Sequence, residues 1–163
     1  MPPYIETRTA PLVDPVLAPK TEDAFTWDEV YHYVSTNQIK SIHRSKEVQT
    51  KYNQWMKDTL DNYGTIEKYL LKTKLHFPSP APTTDCKRPP VIILPNDFPY
   101  SVTPDICHIL LWSQIPLSRD YIEEILEKNY GKDNFEWVYW VNPPEIQSVR
   151  KLPHVHVFMR ARA

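Results

Sequence analysis

The chain has 163 residues, which is enough for one hydrophobic core and too few for two. Its 19 basic and 20 acidic residues leave a formal charge of −1, so no overall electrostatic field directs it to nucleic acid or to an anionic membrane. Only two glycines, Gly64 and Gly131, are present, which excludes a P-loop and a dinucleotide-binding fingerprint. We therefore predict a single-domain protein whose partners include no nucleic acid and no membrane.

No targeting or membrane-spanning segment is recognisable in the sequence. The N-terminus lacks the basic start and apolar stretch of a secretory signal, and no apolar run approaches the ~20 residues of a membrane span. The two cysteines, Cys86 and Cys107, do not form the dense framework of a small secreted domain. We expect a cytoplasmic protein, with the nucleus as the alternative location.

The first 24 residues differ in character from the rest of the chain. They are rich in proline, poor in bulky apolar side chains and without periodicity, so burial cannot offset the entropy lost on ordering them. We predict an extended arm over residues 1–24 and a single domain over residues 25–163. Thr26 and Glu29 have the spacing of a capping box, which predicts the start of a first helix.

A long amphipathic helix is predicted next. Apolar residues recur on one stripe between Ser45 and Tyr63, and Gly64 then provides a stop. Thr65 is placed to cap a further helix, which precedes a proline-rich connection that ends at Pro90. The first half of the chain is therefore predicted to be helical.

The second half is predicted to consist mainly of strands. Apolar, β-branched or aromatic runs bounded by turn residues indicate strands at 91–94, 106–112, 135–141 and 154–160. One helix interrupts them, beginning at a Ser118 cap and ending at Gly131. Helices followed by strands are typical of an α+β fold, with the N-terminal helices packed on one face of a small, largely antiparallel sheet formed by the C-terminal half.

Three histidines lie in the predicted strands. Side chains alternate along a strand, so His154 and His156 share one face of the last strand. If the strand that carries His108 is its neighbour in the right register, three imidazoles converge. Imidazole can transfer a proton or bind a metal near neutral pH. His108, His154 and His156 are therefore the candidate catalytic residues and also the candidate ligands of a divalent metal.

Five further residues are candidates for ligand binding around these histidines. Tyr100 and Trp112 can each provide a stacking wall, and Arg150 can clamp an anionic group. Asp97 can supply an oxygen ligand, and Asn142 can orient a bound molecule. Together with the histidines these side chains predict a small-molecule pocket.

The histidine pattern leaves three alternatives open. Histidine-triad proteins carry three alternating histidines on a strand, and Phe158 stands at the third position here. A metal-dependent hydrolase would use the His-x-His strand as ligands and keep an open position for water. The histidines can instead be structural, in which case the aromatic face and the arm would bind a protein partner.

Several separated segments resemble the fungal N-acetylglucosamine-induced protein family. They are Pro95 to Tyr100, His108 to Trp112, Pro116 to Asp120, Trp137 to Pro143 and Ser148 to Phe158. The resemblance implies a cytoplasmic fungal protein with a domain of unknown function, linked by name to the response to amino sugars. The resemblance does not imply any particular reaction. From the residues and the resemblance together we predict a protein of amino-sugar metabolism, either a binding protein or an enzyme, with a histidine-lined pocket for an amino sugar, a sugar phosphate or a nucleotide sugar. The alternative is a non-catalytic regulatory protein of the N-acetylglucosamine response.

Overall fold

The structure of the chain is a computed structural model that describes residues 5–7, 24–77, 88–147 and 149–162. Its helices are α1 (Trp27–Ser35), α2 (Lys46–Tyr63), α3 (Ile66–Thr73) and α4 (Arg119–Asn129), with short 3-10 turns at Ile39–Ser41 and Pro144–Ile146. Its strands are β1 (Ile5–Thr7), β2 (Val91–Pro95), β3 (Ile106–Ser113), β4 (Phe135–Trp140) and β5 (His154–Ala161).

The helices begin where the sequence predicts them. Thr26 and Glu29 form both bonds of a capping box at the start of α1. The side chains of Ser45, Thr65 and Ser118 each accept a hydrogen bond from a backbone N–H three residues further on, at the starts of α2, α3 and α4. Within the described residues, no helix combines the length and the apolar character needed to cross a membrane.

The five strands form one sheet in the order β1-β2-β3-β5-β4. β2, β3, β5 and β4 pair in antiparallel fashion, and β1 lies parallel to β2 at one edge. The predicted α+β fold with a largely antiparallel sheet is therefore confirmed. β1 comes from the predicted extended arm; residues 1–4 and 8–23 of that arm lie outside the described residues.

One face of the sheet is closed by α4. Ile122, Ile125 and Leu126 of this helix pack on a buried apolar cluster that includes Leu111 and Val157. Cys107 belongs to the same cluster, whereas Cys86 lies outside the described residues. The N-terminal helices lie on the other face, as predicted, and α4 takes this one, because the apolar side of β3 and β5 that points away from the N-terminal helices also needs a cover.

The other face, which we call the histidine face, is covered by the N-terminal helices. Trp27 and Val30 of α1 pack near β4 and β5, and Ile66 and Leu70 of α3 pack near β2 and β3. Trp55 on α2 adds to the second of these clusters. The three helices cover this face in separate patches, and the polar residues of the sheet lie between them.

Candidate functional site

β3 and β5 are hydrogen-bonded neighbours, and their register brings the three histidines together on the histidine face. His154 lies opposite Trp112, and His108 lies diagonally opposite His156. The ring centroids of His108 and His156 are 5.2 Å apart, and those of His154 and His156 are 5.4 Å apart. The strand pairing needed for three imidazoles to converge is therefore present.

A chain of buried hydrogen bonds runs through the two deeper histidines. The indole Nε1 of Trp140 donates to Oδ1 of Asn142 at 2.7 Å, and Nδ2 of Asn142 lies 3.0 Å from Nε2 of His156. Nδ1 of His156 lies 3.0 Å from Nε2 of His108. All four side chains are buried. We call Trp140, Asn142, His156 and His108 the histidine relay.

Both ends of the histidine relay are fixed by groups that can only donate. The Trp140 indole N–H donates to Oδ1 of Asn142, whose Nδ2 faces Nε2 of His156. At the other end, the backbone N–H of Tyr100 donates to Nδ1 of His108 at 3.3 Å, and Nε2 of His108 faces Nδ1 of His156. All four ring nitrogens of His108 and His156 therefore have a partner within the protein.

Burial keeps the histidines neutral near pH 7. Burial lowers the pKa of His108 to about 3, and the positive charge of Arg44 adds to the effect. Burial also holds the pKa of His156 well below its usual value, with smaller contributions from the charges of His108, His154 and Arg44. The pKa of His154 is lowered by burial and raised less strongly by its hydrogen bond to the backbone of Leu152. The three rings therefore act as neutral hydrogen-bonding groups.

A cleft opens in front of the relay, lined by residues of the sheet and of helices α2 and α3. Its empty space is about 770 Å³ when the open solvent at its mouth is counted. Its aromatic walls are formed by Tyr52, Trp55, Phe98, Tyr100 and Trp112. Its polar groups are Arg44, Lys74, Asn96, Asp97, Asn142, His154 and His156.

Arg44 is fixed in this cleft by three contacts. Its Nε donates to the carbonyl oxygen of Phe98 at 2.7 Å. Its guanidinium carbon lies 4.0 Å from the ring centroid of Tyr52 and 5.0 Å from that of Tyr100. Within the described part of the chain, Arg44 forms no salt bridge. Its charge is therefore held in place without a counter-ion among the residues that the structure describes.

Lys74 and Asp97 form an ion pair among the residues that line the cleft. The ionised lining residues are thus two cations, Arg44 and Lys74, and one carboxylate, Asp97, which gives a formal charge of 2 − 1 = +1. Because Lys74 is neutralised by its partner, the excess positive charge belongs to Arg44.

His154 and Trp112 form the part of the cleft floor that has open hydrogen-bonding capacity. Nδ1 of His154 lies 2.9 Å from the carbonyl oxygen of Leu152, so Nδ1 carries the ring proton and Nε2 is an acceptor. The Trp112 Nε1 is, within the described residues, the one buried side-chain nitrogen or oxygen without a hydrogen-bond partner. The two rings are stacked with centroids 4.6 Å apart.

The structure places most of the predicted site residues in the cleft. Those that line it are Asp97, Tyr100, Trp112, Asn142, His154 and His156. His108 is buried in the relay and is not part of the lining, and Arg150 is exposed and lies outside it. Arg44 and Lys74 were not predicted as site residues, since no local pattern distinguishes an arginine before a helix cap or a lysine after a helix. Only contacts with the loop that contains Phe98 bring them to the site.

The histidines are not arranged as metal ligands. In the described ranges, no group of three or more His, Cys, Asp or Glu side chains could hold a metal ion. Hydrogen bonds within the relay use both ring nitrogens of His156 and one of His108. The predicted metal candidates His108, His154 and His156 are thus placed as hydrogen-bonding residues.

The fold and the site define an α+β domain in which a buried histidine relay lies beside an aromatic cleft with one unpaired cation. The chain belongs to the family described as "Protein of unknown function (DUF3605)", whose model matches residues 26–160. The described relay and cleft residues lie within this matched range.

Two relatives and one solved structure extend this comparison. The chain is 27% identical to "N-acetylglucosamine-induced protein 1" of Candida albicans, covering 86% of the chain and 70% of that protein. It is 24% identical to "Uncharacterized protein YPL067C" of Saccharomyces cerevisiae, covering 82% of the chain and 77% of that protein. The crystal structure of HTC1 has a TM-score of 0.63 at 23% identity, covers 84% of the chain and 85% of the solved chain, and supports the fold alone. The resemblance to fungal N-acetylglucosamine-induced proteins is confirmed.

Proposed function

We propose that the chain binds a small phosphate-bearing amino sugar in the cleft. The observation that carries this proposal is Arg44, a guanidinium that is fixed by two tyrosine rings and a carbonyl oxygen and has no carboxylate partner in the described residues. Its Nε is already used by Phe98, so the two terminal nitrogens are available to a ligand. Paired N–H donors of this kind match the oxygens of a phosphate.

The rest of the lining supports a sugar-sized ligand. Aromatic rings such as Trp55 and Phe98 offer flat apolar surfaces, and a few polar groups such as Asn96 and His154 can fix an orientation. The name of the Candida albicans relative records induction by N-acetylglucosamine, which favours an amino sugar among phosphate-bearing ligands. Both a sugar phosphate and a nucleotide sugar have this chemistry.

Isothermal titration calorimetry tests the proposal with four probes: N-acetylglucosamine, N-acetylglucosamine 6-phosphate, UDP-N-acetylglucosamine and inorganic phosphate. We expect one of the two phosphorylated sugars to bind more tightly than N-acetylglucosamine. Arg44→Met should weaken that binding at least tenfold, because a hydrogen bond to a charged group contributes about 1.5–3 kcal/mol.

Arg150→Met is the matched control, since it removes the same side chain from an exposed position outside the cleft. It should change the affinity less than twofold. If Arg150→Met weakens binding and Arg44→Met does not, the anion lies elsewhere and the proposal is wrong. If none of the four probes binds, the regulatory alternative with a protein partner is favoured.

The cytoplasmic location expected from the sequence is part of the same proposal, because phosphorylated sugars of this kind are intracellular metabolites. Fluorescence microscopy of a tagged chain in a fungal cell checks it. A signal confined to a membrane-bounded compartment other than the nucleus would contradict it.

A further inference from the structure

The cleft floor has a hydrogen-bond donor and an acceptor side by side. Trp112 and His154 are directly paired across β3 and β5, and their rings stack at an interplanar angle of 28°. The stacking and the strand pairing hold the two rings in a fixed relation. Their polar atoms can therefore be considered as one unit.

The acceptor of this unit is Nε2 of His154. The Leu152 carbonyl takes the proton on Nδ1, so the neutral ring presents a lone pair at Nε2. No side chain or backbone group of the described residues bonds to this nitrogen. His154 is the only one of the three sheet histidines with a ring nitrogen left to accept, because the relay fixes the other two rings.

The donor of the unit is the indole N–H of Trp112. Trp112 is 5% exposed and lines the cleft, and its Nε1 has no partner. A buried donor without a partner costs about 1–3 kcal/mol, so it is a strong candidate for a bond that forms only when a ligand is present. Trp140 and Trp137, by contrast, have their indole N–H groups bonded to Asn142 and Glu123.

We propose that Trp112 and His154 form a subsite for a hydroxyl group of the ligand, whose oxygen accepts from the Trp112 N–H and donates its proton to His154 Nε2. This inference rests on the proposed function, because it concerns the same cleft. The dianion of a phosphate monoester has no proton to give to Nε2, and an ammonium group has no lone pair for the indole N–H. A hydroxyl meets both requirements with one atom.

The two rings are close enough to contact the same ligand group. Their centroids are 4.6 Å apart, and the two residues are directly paired across β3 and β5. The cleft then binds a phosphate at Arg44 and a sugar hydroxyl at the floor, where the hydroxyl donates a hydrogen bond to Nε2 of neutral His154.

The test compares two probes, N-acetylglucosamine 6-phosphate and inorganic phosphate, on the full chain. In ¹H–¹⁵N spectra the five tryptophans each give one indole N–H peak, and the peak lost in Trp112→Phe is that of Trp112. We expect the sugar phosphate to shift the Trp112 peak more than the other four, and inorganic phosphate to leave it in place. This measurement uses the wild-type protein and does not depend on the stability of a variant.

Affinities measured by calorimetry complete the test. Trp112→Phe and His154→Phe, which keep an aromatic ring, should each weaken the binding of the sugar phosphate about tenfold, because one hydrogen bond to the hydroxyl is lost. Both should leave the affinity for inorganic phosphate within about twofold. Arg44→Met should weaken the binding of both probes.

Three outcomes would overturn the inference, and they are distinguishable. If inorganic phosphate shifts the Trp112 peak and Trp112→Phe weakens its binding, the floor is an anion site. If the sugar phosphate binds and neither floor variant weakens it, the hydroxyl subsite is wrong while the proposed function stands. If neither probe binds the wild-type chain, both the proposed function and the hydroxyl subsite are wrong.

Discussion

The two faces of the sheet are formed by the same strands but are packed in different ways. On the face under α4, Leu126, Val157 and Met159 are fully buried in an apolar cluster. On the histidine face, the same strand β5 carries His154 and His156, which contribute to a relay and a cleft. Val157 and His156 are neighbours in sequence, yet alternation along the strand sends them to opposite sides.

The difference separates a face that mainly stabilises the fold from a face that carries the polar groups of the site. One helix covers the α4 face mainly with apolar contacts. Three helices cover the histidine face in patches, and the polar groups between them are either satisfied by the relay or left open at the cleft floor. We expect changes on the α4 face to act on stability alone, and changes on the histidine face to act on both stability and binding.

The largest expected effect is on the α4 face. Leu126→Ala removes a fully buried side chain and should lower the free energy of unfolding by about 4 kcal/mol, within the usual range for cavity-forming changes. Urea denaturation followed by tryptophan fluorescence measures this. Leu60→Ala is the control, because Leu60 is 44% exposed and should cost less than about 0.5 kcal/mol. A loss below about 1 kcal/mol for Leu126→Ala would show that α4 does not close a tight core.

The relay should be the next most sensitive part of the molecule. His156→Phe keeps a ring next to Trp140, with which His156 stacks at 4.9 Å, but leaves Asn142 and His108 each without one partner. We expect a loss of about 3 kcal/mol in the free energy of unfolding, because two buried polar groups become unsatisfied. His154→Phe loses one bond to a carbonyl and should cost about 1 kcal/mol. Equal losses for the two variants would contradict the distinction between relay and floor.

Acid should destabilise the protein through the histidine face. The pKa of His108 is about 3 in the folded chain and about 6.5 in the unfolded chain, so below pH 6.5 the unfolded state binds more protons. The contribution of His108 to the free energy of unfolding is at its maximum above pH 6.5. It decreases as the pH drops and is about 2 kcal/mol smaller at pH 5. The lowered pKa of His156 acts in the same direction.

Urea denaturation at pH 7, 6 and 5 measures this dependence. His108→Phe should flatten it, whereas Leu126→Ala should keep the wild-type slope, because the apolar cluster under α4 contains no histidine. An unfolding free energy that stays constant from pH 7 to pH 5 would contradict burial of the neutral relay.

The smallest expected effects concern the first turns of the helices on the two faces. Ser118→Ala removes one bond at the start of α4, and Thr26→Ala removes a capping box at the start of α1. Each should cost about 1 kcal/mol, with the larger loss at Thr26 because two bonds depend on it. Ser35→Ala, at the exposed last residue of α1, is the control and should change stability by less than about 0.5 kcal/mol. Thermal unfolding monitored by circular dichroism ranks the three variants, and a loss at Ser35 equal to that at Thr26 would contradict the role of the caps.

Much of the fold could be predicted because its signals are local. A capping box spans four residues, a helix stripe repeats every three or four, and a strand alternates every two. Those short patterns located Thr26, Thr65 and Ser118 as caps and put His154 and His156 on one face. The separated motifs were also sufficient to indicate the family, which the match over residues 26–160 confirms.

The site could be predicted only in part, because its members come from distant segments. Asn142 and His156 were candidates for separate reasons, but their hydrogen bond could not be foreseen from either local sequence. Arg44 gave no signal at all, and its place between Tyr52 and Tyr100 depends on how α2 packs against the loop after β2. Arg150 looked equally suitable as an anion clamp and lies outside the cleft.

The amino-acid sequence by itself determined which segments of residues 25–163 are helices and strands, which side chains share a face, and that no glycine-rich phosphate loop exists. The tertiary structure decided that α4 takes the face opposite the other helices, that β3 and β5 pair in the register that joins His108 to His156, and that Arg44 rather than Arg150 reaches the cleft. The physical reason is the separation along the chain between the residues that interact. Secondary structure follows from interactions between residues a few positions apart, whereas register and helix placement depend on burying apolar surface between segments that are tens of residues apart.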